Sequence, residues 1–257
     1  MSKISPLAFI DPEAKIGENC EIGPFCFIDK NVVIGDNNVL MNSVTVLYGA
    51  RIGNNNTIFP GAVISAVPQD LKFVGEETTA EIGDNNKIRE NVTINRGTAA
   101  KWKTCVGSNN LLMEGVHIAH DAIVGNGCII GNSTKLAGET IIDDNAILSA
   151  GVLMHQFCRV GGYTMVGGGT RFSQNIPPFI MCSREPAAYC GLNLVGLRRR
   201  GFSNELIENI HNAYRLIYQS KMPLVEAIKK IKEEIPSSPE IDYIVSFIED
   251  SKRGFVH

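Results

Sequence analysis

The sequence predicts an all-β solenoid of hexapeptide repeats over residues 1–190, followed by a connector and a small all-α domain over 191–257. Three observations carry this. Large apolar residues recur every sixth position from Ile4 to Phe172; turn segments of one type recur between them; and the repeat stops near Ile176-Pro177-Pro178, after which the spacing becomes helical.

Stepping by six from Ile4, the chain passes Ile10, Ile16, Ile22, Ile28 and Ile34 and continues in that register to Phe172. Of 29 such slots only Asp70, Glu76 and Ala100 depart from a large apolar residue, so 26 obey the rule. Period six matches neither an amphipathic helix nor an alternating strand. It matches a short strand plus a turn, three of which close a triangular coil of about 18 residues stacked at about 4.8 Å. The position four residues after each slot also points inward and is small: Ala14, Cys20, Cys26, Val32, Ala62 and Cys128 are examples. Four of the seven cysteines (Cys20, Cys26, Cys128, Cys158) stand there, which reads as buried thiol packing and not as metal or redox chemistry. The segments IGDNN, IGNNN, IGDNN and VGSNN near residues 34, 52, 82 and 106 supply Gly and Asn for tight corners that need positive φ.

Two insertions, near 66–79 and 98–104, interrupt the register and are expected to protrude as functional loops. Beyond the repeat, helices are expected over Asn204–Ser220 behind the cap Ser203, over Pro223–Ile235 and over Pro239–Arg253.

Composition narrows the function. The N-terminus MSKISPLAFIDPEAK has no apolar leader and no run approaches the roughly 18 apolar residues of a membrane span, so a cytoplasmic protein is expected. A net charge of −3 offers no general attraction for nucleic acid, and seven cysteines without a CxxC pair argue against a disulfide framework.

The 18-residue coil turns spacing into proximity. His120, Gly138 and Gln156 are spaced by 18 and stack in one column, with Asp121 and Glu139 beside it and His155 next to Gln156. Lying outside the inward slots, they are expected to face out and form the best active-site cluster in the chain. His120 is the candidate general base. Gly138, lacking a side chain, can bring its N–H close to a developing oxyanion. His155 and Gln156 suit a polar substrate. Outward aliphatics such as Ile123 and Ile141 call for a second subunit, and a triangular prism suits a three-fold homo-oligomer.

QDLKF at 69–73, IRENVTINRGT at 88–98, NLLMEGVHIAHD at 110–121, HQF at 155–157, GLNLVGLRRRGF at 191–202 and NAYRLIYQS at 212–220 together resemble the UDP-N-acetylglucosamine O-acyltransferase family of lipid A biosynthesis. The resemblance spans essentially the whole chain and implies a left-handed β-helix, where the general crossover preference would suggest the right hand. It implies transfer of a 3-hydroxyacyl chain from acyl carrier protein to the glucosamine 3-OH of UDP-N-acetylglucosamine, by a homotrimer and without a cofactor or metal. By position it makes His120 the base, with Gly138 as oxyanion donor and Asp121 as a helper. Gln69, Asp70, Lys72, His117, His155, Gln156, Asn193, Arg199 and Arg200 become substrate-binding residues, and Met165 and Gly168 border the acyl groove. Arginine forks suit phosphate, which supports the assignment of the 198–200 run independently. Two positions depart from the family pattern: Glu139 stands where a histidine is common, and Val195 where an acidic residue is common.

Two other readings compete. His117, His120 and His155 are nominal zinc ligands for a carbonic-anhydrase-like hexapeptide enzyme, which would leave the QDLK loop and helical domain unexplained. A non-catalytic scaffold would not need the His120–Gly138–Gln156 column.

Overall fold

A computed structural model describes residues 1–257. The chain forms three sheets of 11, 9 and 8 strands, all parallel except the last strand of the first, and most strands are only two residues long. We call them the first, second and third faces, beginning at Lys3–Ile4, Phe9–Ile10 and Lys15–Ile16. The 18-residue register is direct: Ile118 lies opposite Leu136, and Leu136 opposite Met154. The whole is a left-handed parallel β-helix closed by a small helical domain.

Inward slots from Ile22 to Phe172 are buried, and the small slots Cys20, Cys26, Ala62, Cys128 and Cys158 lie between them. All seven cysteines are free, and burial pushes the Cys128 thiol up to about 12. The rule weakens at the open N-terminal end, where Ile4 is 47% exposed and Phe9 stacks on Phe27 at 5.1 Å.

The two asparagines of each NN turn divide the corner between them. Asn37, Asn55, Asn85 and Asn109 take positive φ, as expected. Their neighbours Asn38, Asn56, Asn86 and Asn110 instead turn inward and form a buried ladder. The Asn56 amide donates to Asn38 Oδ1 at 3.0 Å and to Gly83 O at 3.0 Å, while its own Oδ1 accepts from Asn86. Buried amides must be paired, and stacking identical residues pairs each with the next coil.

After Phe172 the chain adds Ile180–Ser183 to the first face and returns antiparallel as Ala188–Leu192. Four helices follow: α1 (Leu194–Arg199), α2 (Asn204–Tyr218), α3 (Leu224–Glu234) and α4 (Pro239–Glu249). The connector expected at 191–202 therefore holds one short helix, because Asn193 caps it by accepting from Gly196 N. Ser203 and Ser238 cap α2 and α4 in the same way. Tyr243 of α4 docks on the solenoid, accepting from Gly162 N at 2.7 Å and donating to Asp143, which also pairs with Arg159.

Candidate active site

Both insertions leave the same corner, between the second and third faces. The column His120, Gly138 and Gln156 stands on that corner as well, so loops and column converge. A cleft of about 660 Å³ opens there, with Gln69, His117, His120, Gly138, His155 and Gln156 in its wall.

His120 and Asp121 lie outside the inward slots, as the spacing predicts, but they are covered and not exposed: the carboxylate is fully buried and His120 is only 9% exposed. The reason is the second insertion. It folds over Asp121, whose Oδ1 accepts from Thr98 N (3.0 Å) and Lys101 N (3.2 Å) and whose Oδ2 accepts from Thr98 Oγ1 (2.6 Å). The Asp121 N–H in turn donates to Thr104 Oγ1 at 2.8 Å.

His120 Nδ1 lies 2.8 Å from Asp121 Oδ2. Neighbours on a strand point apart, but these two sit on a corner, where Asp121 takes φ of 60° and swings its side chain back beside the ring. A carboxylate held by two backbone N–H groups and a hydroxyl is an acceptor, so Nδ1 carries the proton. Nε2 is left with its lone pair toward the cleft, 3.9 Å from Asp70 Oδ2.

Gly138 completes the arrangement. A Cβ there would meet His120 Cε1 at 2.6 Å and Nε2 at 2.7 Å, so the imidazole occupies the space that glycine leaves. The Gly138 N–H has no hydrogen-bond partner within the chain, whereas Glu139 N donates to His120 O.

His117 Nδ1 pairs with Thr93 Oγ1 at 2.7 Å. Burial, with Lys135 and His120 nearby, holds its pKa below the usual imidazole range, so it stays neutral at pH 7. His155 is exposed on the cleft rim, its Nδ1 3.1 Å from Gln156 O. Gln69 lines the cleft. Lys72 is exposed on the same loop, and its N–H donates to Asp70 Oδ1 at 2.9 Å. Glu139 lies 4.0 Å from Lys101 Nζ. No group of three His, Cys, Asp or Glu side chains converges in metal-ligand fashion.

Asn193, Arg199 and Arg200 do not line this cleft. Asn193 is buried, its amide spent on Tyr163 O and the cap of α1. Arg199 is exposed, and Arg200 donates to Asn145 and lies over Tyr163. Asn145 marks the corner between the third and first faces, one prism edge away from His120. Met165 and Gly168 also lie elsewhere, Met165 outward on the first face between Ile147 and Met181.

Sequence reasoning missed Lys135, Leu153, Arg171 and Glu185, which also wall the cleft. The first three were accessible to it: stepping by 18 from His117 reaches 135, 153 and 171, the outward positions of one face.

The model "Udp N-acetylglucosamine O-acyltransferase; Domain 2" matches residues 175–256, and a bacterial transferase hexapeptide model matches 106–138. A curated acyl-[acyl-carrier-protein]--UDP-N-acetylglucosamine O-acyltransferase of Halorhodospira halophila is 43% identical over the full length of both chains. The chain belongs to the UDP-N-acetylglucosamine O-acyltransferase family. Among solved members, the Bacteroides fragilis acyltransferase is 72% identical, with TM-score 0.98 over 99% of this chain and all of that one. The Acinetobacter baumannii acyltransferase is 43% identical, with TM-score 0.97 over the whole of both.

Proposed function

We propose that the chain moves a 3-hydroxyacyl group from acyl carrier protein to the 3-OH of UDP-N-acetylglucosamine, the first step of lipid A biosynthesis, with His120 as general base. The single observation that carries this is the geometry of the ring: Asp121 Oδ2 lies 2.8 Å from Nδ1, which turns Nε2 to the cleft beside Asp70.

In this reading Nε2 takes the proton of the sugar 3-hydroxyl as its oxygen attacks the thioester carbonyl. The unpartnered Gly138 N–H supports the oxyanion of the tetrahedral adduct. Collapse of the adduct expels the thiolate, which receives the proton from the imidazolium. Asp121 and Asp70 stabilise that transient cation from opposite sides. Neutral His117, Gln69, Asp70, Lys72, His155 and Gln156 orient the polar acceptor.

Arg199, Arg200 and the acyl-groove pair Met165 and Gly168 enter through a second copy, with Asn193 holding the start of α1 beneath the two arginines. They stand on other edges and faces of the prism than His120, and packing prisms side by side in a homotrimer brings such edges together. Guanidinium forks of Arg199 and Arg200 then serve the nucleotide diphosphate. No helix is long and apolar enough to cross a membrane, in keeping with a cytoplasmic enzyme acting on dissolved substrates.

The test is thioester consumption from a series of 3-hydroxyacyl carrier proteins with UDP-N-acetylglucosamine, for the native chain and His120→Ala, with a chelator control. Transfer that survives chelation and is lost in His120→Ala is the expected result. Transfer retained by the variant removes His120 as base, and loss on chelation revives the zinc reading.

A further inference from the structure

The column continues below His120. Thr93 lies opposite His117, so Arg96 stands one coil beneath His120 on the same corner, and Tyr48 stands two coils below Arg96. Arg96 belongs to no ion pair, and its Nε is buried without a hydrogen-bond partner. Burial holds its pKa below the usual guanidinium range. A half-buried cation whose Nε lacks a hydrogen bond is stabilised by whatever lies against its face. Its guanidinium carbon lies 5.2 Å from the centre of the Phe73 ring and 5.8 Å from that of Tyr48, within the range where an aromatic face attracts a cation.

Phe73 belongs to the first insertion, and its N–H donates to Asp70 O at 3.0 Å, closing the turn that carries Asp70. The root of the same loop is tied down beside Arg96. Arg96 N donates to Ala66 O at 2.9 Å, and Asn95 Nδ2 donates to Val67 O at 2.9 Å. Beyond this point Leu71 and Val74 are almost fully exposed, so nothing within the chain packs over the tip. A contiguous path therefore runs from Arg96 through the Phe73 ring and the Asp70 turn to His120 Nε2 at 3.9 Å.

We propose that Arg96 is a positioning residue: by clasping Phe73 it holds the 66–79 loop in the posture that presents Asp70 to His120 and to the sugar nucleotide. This rests on the reading of Asp70 as a cleft residue of the acyl transfer. Arg96 itself touches neither reacting atom; it acts through the loop.

The experiment compares Arg96→Met, Arg96→Lys, Phe73→Leu and the Arg96→Met/Phe73→Leu double variant. Each is read by steady-state kinetics in both substrates, by amide hydrogen exchange over residues 66–79 and by Tm. Arg96→Met is expected to raise KM for UDP-N-acetylglucosamine about tenfold, leave KM for the acyl donor within about twofold, and speed exchange in the loop. Phe73→Leu should reproduce this, Arg96→Lys should restore part of it, and the double variant should be no worse than either single one. Losses that add, or a lower Tm with unchanged KM and exchange, would overturn the proposal. Should Arg96→Met fail to fold, the half-exposed Phe73→Leu carries the same comparison. Asp70→Asn separates the two readings: full activity there rejects the role of Asp70, while exchange in Arg96→Met still decides whether the cation anchors the loop.

Discussion

His120 and Asp121 are adjacent in sequence yet hydrogen-bonded side chain to side chain, Nδ1 to Oδ2 at 2.8 Å, because a left-handed corner residue folds the carboxylate back beside the ring. One residue positions the imidazole, and its own carboxylate is fixed by an insertion that ends two residues before the next hexad slot, Val106.

Replacing Asp121 with Asn should therefore separate catalysis from folding. The amide keeps the size but supplies a donor where four donors converge, so we expect kcat to fall about 100-fold or more and stability to fall by about 2 kcal/mol. His120→Gln should lose at least as much kcat with a smaller drop in stability. Denaturant melts and initial rates on both variants check the pair; equal Tm loss without a kcat loss in Asp121→Asn would reduce the dyad to a structural contact.

Gly138→Ala probes the same site with one methyl group. The backbone is not in the left-handed region, so alanine is tolerated by the chain, but its Cβ would lie 2.6 Å from His120 Cε1. The ring must move, and a displacement of this size in a base costs roughly 100-fold in rate. We expect that loss in kcat with Tm changed by only a few degrees, measured by thioester release and thermal melts.

Stability should fall as the pH drops through the histidine range. His117 has a folded pKa below its unfolded value of about 6.5, so the unfolded chain binds the extra proton first. The contribution of neutral His117 is fully present above that value and is lost as pH falls toward and through the depressed one. His117→Gln should flatten the stability profile as the pH falls below the unfolded value of about 6.5. An unchanged slope in urea melts would place the titration elsewhere.

The buried ladder makes a prediction far from the cleft. Asn56→Ala leaves Gly83 O and the Asn86 backbone N–H without partners in a dry corner and removes one bond from each of the Asn38 and Asn86 side chains. A loss of about 3 kcal/mol is expected, with kcat of the folded fraction unchanged. Chemical denaturation followed by activity of the native fraction tests it.

The sequence by itself determined the solenoid, its faces and its columns. A period-six pattern from Ile4 to Phe172 leaves one way to bury the apolar slots, and a rigid 18-residue coil converts spacing into distance. His120, Gly138 and Gln156 were legible as neighbours for that reason, and the family pattern pointed to Gln69, Asp70 and His117 on the same cleft. What only the tertiary structure decided lies where the repeat breaks. The inserted segments have no period to set their path, so the sequence could not say that Thr98 and Lys101 would enclose Asp121, or that Phe73 would lie against Arg96. Nor could it say that Asn193 would spend its amide on a helix cap, since a cap depends on where α1 begins. Periodic backbone geometry transmits position along the sequence; loops and caps take theirs from whatever surface they happen to meet.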